Sequence, residues 1–457
     1  MKFSESFSIR KDLSFEEFSN KIWNPEMDQW RDVVEDYLYI SIKRLTNKLS
    51  MFKLQLSLLE EIVNNIKIVD KYNERLKQKG LEKGYKKITD DEYKKEKTHI
   101  KSEIFKYQFL NKAIKEIADG IAWNYFSFNR AILYLLADKQ PIDVIRPDEG
   151  TLHSIYEFSN VYMDPDAIAI FNDITNFLRI GDVTKIKTNG DIEIIEVKAG
   201  VSRGRRISRQ KQRMSELVEF VNTGYKDQDG KKYKIFDSEV KQKNYLHLLF
   251  DGIKRTRSKG FDSLSIGNYL IIEIIDPSKI DNIDMVIEKL SLKQSSIREN
   301  WSKNKDIIQS SFLIDKMDYS KNCAPFSIFP FDLVACTDIM LGRLLIKIDI
   351  NLSEVLRIME KNSWKIIDSI CVKSNDEIDS LLKSDVENIL FAKIARGPLT
   401  IDVPPSLIAR LQFELIAPST FIQQFEEVFN RGPQEEFNFY LTNNIDEQNI
   451  WGKMIKK

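Results

Sequence analysis

Only 17 glycines and 12 prolines punctuate a chain of 457 residues. Average usage is about 7% and about 5% respectively, so this backbone carries few of the residues that break regular structure. The scarcity predicts long elements joined by short turns, with much helix, and excludes collagen-like, low-complexity and Pro-rich linker architectures. A single hydrophobic core stops growing near roughly 250 to 300 residues, so two or three domains are expected. Hydrophobic residues at 42% are enough to fill those cores, and the composition has no signature of disorder.

Charge narrows the functional classes. The 69 basic and 69 acidic residues cancel, so no whole-molecule field draws the chain toward nucleic acid or membrane, and any such attraction is local. Cys323, Cys336 and Cys371 lie far apart without CxxC spacing, which fits small buried side chains in a reducing compartment and offers no zinc site or disulfide framework. The amino terminus lacks a signal-peptide apolar stretch, and no run of about 18 uncharged apolar residues occurs. A cytoplasmic chain with no membrane partner is expected. His99, His153 and His247 have neither metal-ligand spacing nor a Ser-His-Asp context, and neither GxGxxG nor GxxxxGK[ST] is present.

Helical spacing dominates the amino-terminal stretch. Phe52, Leu56, Leu59, Val63 and Ile66, joined by Ile62 and Val69, form an apolar stripe. A Lys-rich stretch from Lys77 to Lys87 reads as a solvated turn, after which Thr89-Asp90-Asp91-Glu92 has capping-box spacing and starts another helix. From Asn111 to Leu136 a further helical pattern reads as largely buried, with Glu116, Asp119 and Trp123 on a neighbouring stripe. Beyond about residue 250, strand-like runs at Tyr269 to Ile275 and Leu344 to Ile350 alternate with helical ones such as Ser353 to Lys361, predicting a second α/β region.

The period switches to strand-like around Thr188-Asn189-Gly190, which predicts a hairpin over residues 178 to 200. Alternation puts Ile192, Ile194, Glu196 and Lys198 on one face of its second strand. Whether Asp182 joins them depends on register. A two-residue Asn-Gly loop pairs Val183 with Glu196 and turns Asp182 away, whereas a three-residue loop with Gly190 left-handed pairs positions summing to 378 and sets 182 opposite 196. In the second register two carboxylates come close enough to share one hard cation, Mg²⁺ or alternatively Mn²⁺. Lys198 would then orient water or stabilise charge at a phosphorus centre. The following helix, ending before Gly224, places Gln210 on its apolar stripe. Residues 201–213 hold Arg203, Arg205, Arg206, Arg209, Lys211 and Arg213 with no acid, a local patch suited to a polyphosphate backbone. A second basic run, Lys254 to Lys259, fits either a continued track or a solvated loop.

With Asp182 on one strand, Glu196-Val197-Lys198 on the next and Gln210 on the helix that follows, with Gln212 as alternative, the chain resembles the PD-(D/E)XK, or restriction-endonuclease-like, nuclease superfamily over about residues 111 to 224. Gly181 stands where that family has Pro. The resemblance implies a further acid from a preceding helix, with Asp119 the first choice as metal ligand and Glu116 or Glu157 the alternatives. The expected fold is α/β: the resemblance implies a restriction-endonuclease-like core with a mixed sheet flanked by helices (111–250), and periodicity sets a helical N-terminal domain (1–110) before it and a C-terminal α/β region of unread role (251–457) after it. The implied activity is Mg²⁺-dependent hydrolysis of nucleic-acid phosphodiesters to 5′-phosphate products. DNA is favoured over RNA, in a bacterial restriction, repair or anti-phage defence setting, with a protein partner or homo-oligomer. Arg203, Arg205, Arg206, Arg209 and Arg213 would bind the nucleic-acid backbone. The alternative is a non-cutting nucleic-acid-binding or assembly protein of the same core.

Overall fold

The computed structural model describes residues 25–85, 87–137, 149–178, 180–197, 205–228, 231–319, 323–369, 391–397, 399–431 and 437–442. The architecture is mixed α/β, and among the described residues no helix is long and apolar enough to cross a membrane. Contacts divide the chain into two units, one of residues 27–226 with 325–328, the other of described residues from 227 to 324 and from 329 onward. The boundaries expected at 110/111 and 250/251 fall inside continuous helices, Asp90–Tyr125 and Leu246–Lys259.

The first unit opens with α1 (Arg31–Lys43) and a long antiparallel pair, α2 (Lys48–Gly84) and α3 (Asp90–Tyr125). Asn47 caps α2 by accepting from Ser50 N at 2.9 Å. Thr89 and Glu92 close the expected capping box on α3. Helix α2 runs through the lysines from Lys77 to Gly84, where a solvated turn was expected, because Lys and Gln are good helix formers and Lys79 pairs with Glu82 three residues on. Its buried stripe is Met51, Leu54, Leu58, Ile62, Asn65 and Val69, with Leu59 and Gln55 alongside. Phe52, Leu56, Val63 and Ile66 lie on its half-exposed flank. The shift has a polar cause: Asn65 is buried because it bonds Asn111 on α3 at 2.9 Å, and Gln55 because it serves a strand.

Two short helices follow, α4 (Arg130–Leu136) and α5 (Glu149–Met163), and then a three-stranded antiparallel sheet in the order β1-β2-β3 (Ala167–Phe171, Val183–Lys187, Ile192–Ile195). The expected mixed sheet is therefore antiparallel in all its described strands, as short loops between successive strands dictate. Phe158 of α5 meets Phe171 of β1 edge-on at 5.7 Å and stacks on Phe52 of α2 at 5.1 Å, so both helices anchor on this strand. The outer edge of β1 is sealed by the Gln55 amide, which donates to Ala169 O at 3.1 Å and accepts from Phe171 N at 3.0 Å. Helix α6 (Arg205–Thr223) packs beside β3, and its Asn222 accepts from Ile192 N. Gly224 ends α6 in the expected left-handed conformation.

Strands β4 (Tyr225–Gln228) and β5 (Lys231–Asp237) follow α6 in the chain. In the second unit α7 (Leu246–Lys259) precedes a four-stranded antiparallel sheet of β6 (Phe261–Ile266), β7 (Leu270–Ile275), β8 (Ile308–Phe312) and β9 (Leu345–Asn351), in the order β6-β7-β9-β8. The strands expected at Tyr269 to Ile275 and Leu344 to Ile350 are its two central members. All six side chains of β7 are buried, as befits a strand covered on both faces. Glu273 is among them, bonded to Arg298, which also holds Asp349. The one parallel pairing described lies in this unit, between segments Lys231–Asp237 and Phe437–Thr442.

Candidate functional site

The β2–β3 hairpin has the three-residue register. Val183 pairs with Ile195, Thr184 with Ile194, Lys185 with Glu193 and Ile186 with Ile192. Gly190 is left-handed at φ +89°, and Lys187 N donates to Asp191 O across the turn at 2.9 Å. Beyond the last ladder pair the register breaks: Asp182 N donates to Ile195 O at 2.8 Å, one position short of Glu196, so Asp182 and Glu196 lie at the same end of the hairpin but out of register with each other. Both residues are half-buried. An Asp182 carboxylate oxygen, Oδ2, accepts from Val197 N, which binds the first acid to the segment carrying the second. Two half-buried carboxylates at one hairpin end supply the oxygen donors that a hard divalent cation takes.

Gly181 has a specific cause. Its φ is +67°, which proline cannot adopt. A Cβ there would collide with Ile194 Cγ2 and stand 2.9 Å from Ile195 O. This turn therefore requires glycine at 181.

Helix α3 braces the loop between β1 and β2. Asp119 is 1% exposed, and its carboxylate accepts from Asn176 N at 2.7 Å and Asn176 Nδ2 at 2.8 Å. Buried Lys115 donates to Asp173 O at 3.0 Å. Asp119 thus ties the loop and does not join Asp182 and Glu196 around an ion, since among the described residues no three His, Cys, Asp or Glu side chains gather as metal ligands. A carboxylate turned to two N–H donors in the core is satisfied as an anchor. Its alternative Glu116 is also buried and accepts from Phe326 N at 2.7 Å, where the absence of a side chain at Gly120 lets Ser327 approach the helix. Glu157 is half-exposed on α5.

Lys198 and Arg203 lie outside the described residues. Arg205, Arg206, Arg209, Gln210 and Arg213 belong to the described helix α6, but their side chains lie outside what is described. Gln212, the alternative to Gln210, is exposed and donates to Glu216 one turn on at 3.0 Å. The second basic run is helical, the end of α7. Lys254 pairs with Asp251, Arg255 with Asp262 at 2.8 Å and Arg257 with Asp332 and Asp338, so carboxylates neutralise most of it. The three histidines are exposed, and Cys323 and Cys336 are buried free thiols. Burial pushes the Cys336 thiol up to about 12, which makes it unreactive.

Residues that sequence reasoning passed over include Gln55, β1 itself and Asn172. The last is 1% exposed and bonds both β2 and the turn before it. Comparison with protein-family models, with curated proteins and with solved structures finds no match to this chain.

Proposed function

We propose that the Asp182–Glu196 hairpin end is the metal-binding centre of a nucleic-acid phosphodiesterase, with DNA the favoured substrate. The observation that carries this reading is that Asp182 bonds both chain neighbours of Glu196, its N–H donating to Ile195 O and its carboxylate accepting from Val197 N, at one end of the hairpin. The element order supports it as well: helix α5, then β1, β2 and β3, then helix α6 with its arginines, as the resemblance to PD-(D/E)XK nucleases requires. Asp182 and Glu196 bind Mg²⁺ or Mn²⁺ as oxygen ligands. When bound, the ion supplies Lewis-acid stabilisation of the charge that builds on a phosphodiester under attack by water. Lys198 holds the attacking water or the developing negative charge, and Gln210 supports the site from α6. Arg203, Arg205, Arg206, Arg209 and Arg213 hold the phosphate backbone, a charge-driven contact that weakens as salt rises. Bacterial anti-phage defence is the setting we favour, by association with large flanking modules of no known type.

A second reading, a binding or assembly protein that does not cut, is favoured by one observation. The Asp182 carboxylate already accepts the Val197 N–H, which stabilises its charge without a cation. Incubation of the purified chain with supercoiled plasmid, linear duplex, single-stranded DNA and RNA, with Mg²⁺, Mn²⁺ or chelator, separates the two. The nuclease reading expects cleavage that needs metal. The second expects salt-sensitive binding, unaffected by metal and retained in Asp182→Ala.

A further inference from the structure

We propose that Asn172 is a positioning residue for the Asp182–Glu196 centre, a role that rests on the phosphodiesterase reading. Asn172 begins the short turn after β1 and is buried at 1% exposure. Its side-chain nitrogen donates twice, to Ile180 O at 2.9 Å and Gly181 O at 3.1 Å, and its side-chain oxygen accepts from Thr184 Oγ1 at 2.8 Å. Its backbone N–H donates to Asp182 O at 2.9 Å. One residue therefore holds the chain on both sides of Asp182, from Ile180 through Thr184.

The bonds explain how a turn with a left-handed residue is kept inside the protein. With φ at +67°, Gly181 turns the 180 and 181 carbonyls inward, and buried carbonyls need donors. A primary amide meets that need, since it can donate to two carbonyls and still accept from a hydroxyl. On the opposite side Asp182 N donates to Ile195 O, so the backbone of the acid is gripped from β1 and β3 together. Only side-chain torsions remain, and the Val197 N–H takes up Oδ2. Further along the loop, the Asp119–Asn176 and Lys115–Asp173 bonds fasten it to α3. The acid is thus set before any ligand arrives, and a misplacement of about 1 Å at such a centre costs on the order of a hundredfold in rate.

Asn172→Asp is the sharpest probe, because it keeps the shape and the acceptor but sets an oxygen against two carbonyls. Thr184→Val is milder, removing one hydrogen bond with little change of volume. Each is made in the full chain beside Asp182→Ala, with three readouts: far-UV circular dichroism, amide hydrogen exchange of Val197, and the Mg²⁺ concentration for half-maximal plasmid cleavage. The clamp predicts at least tenfold faster Val197 exchange in Asn172→Asp and at least a tenfold higher Mg²⁺ requirement. Thr184→Val should shift both by about threefold, and helical content should hold in both variants. If Asn172→Asp does not fold, Thr184→Val carries the test alone. Cleavage by the wild type with Val197 exchange and Mg²⁺ requirement unchanged in the folded variants would overturn the clamp and keep the nuclease. A wild type that cuts nothing, with Val197 exchange faster in Asn172→Asp or Thr184→Val and in Asp182→Ala, would overturn the nuclease and keep the clamp's geometry.

Discussion

Asp182 bonds the residues on either side of Glu196: its N–H donates to Ile195 O at 2.8 Å and its carboxylate accepts from Val197 N. A two-residue loop would have shifted the register by one and turned Asp182 to the far face of the sheet. The three-residue loop with left-handed Gly190 instead sets every described β2–β3 pair, and both acids come to the hairpin end where that ladder stops. A turn made of Thr188, Asn189 and Gly190 thereby governs whether a two-carboxylate centre can form at the other end of the hairpin.

Gly181→Ala should lower stability by about 2 kcal/mol or more. The substitution forces an L-residue into the left-handed region, and its Cβ meets Ile194 and Ile195. Urea unfolding followed by circular dichroism measures the loss. Gly190→Ala, also at positive φ but with open space where a Cβ would stand, should cost less. Equal losses would mean that the crowding around Gly181 has no energetic weight.

Gln55→Leu should cost about 2 to 4 kcal/mol although it exchanges a polar for an apolar side chain in a core. It strips partners from Ala169 O and Phe171 N at the buried edge of β1, and each buried group left unpaired costs about 1 to 3 kcal/mol. Gln78→Leu on the exposed end of the same helix should change stability by less than about 0.5 kcal/mol. A Gln55→Leu protein as stable as the wild type would contradict the edge-sealing role.

Glu273 sets a pH dependence in the second unit. Burial raises its pKa, with Asp349 adding to the effect and Arg298 and Lys347 opposing it. The folded carboxyl thus keeps its proton at pH values where the unfolded one, near 4.5, has lost it. The stability it contributes is greatest below that value and is lost as pH rises through the folded pKa. Melting temperatures of wild type and Glu273→Gln between pH 4 and pH 8 should show the wild type losing ground to the variant as pH rises. A difference that moves the other way would mean that Arg298 outweighs burial.

Local chemistry made much of this molecule legible in the sequence. The Thr89–Glu92 capping box, the Gly190 turn with its register, the Gly224 helix end and the central strands of the second sheet all follow from neighbours in the chain, and all stand in the structure. Tertiary partners decided what stayed hidden. Gln55, Asn65 and Asn172 are polar, so hydrophobic periodicity does not mark them, yet each is buried because a distant backbone or amide completes its hydrogen bonds. Asp119 has the residue type of a metal ligand and the environment of an anchor, a distinction that depends on Asn176, 57 positions on. The lysines from Lys77 to Lys87 read as a turn by charge, but those up to Lys83 continue a helix that charge does not interrupt.

Cleavage of supercoiled plasmid in Mg²⁺ by wild type, Asp182→Ala and Glu196→Ala, all confirmed folded by circular dichroism, decides whether these two carboxylates hold a catalytic metal. Nicking or cutting is predicted that chelator abolishes and that each substitution reduces by a hundredfold or more. Metal-dependent cleavage that survives in both variants would contradict the assignment, because the two acids would then hold no catalytic ion.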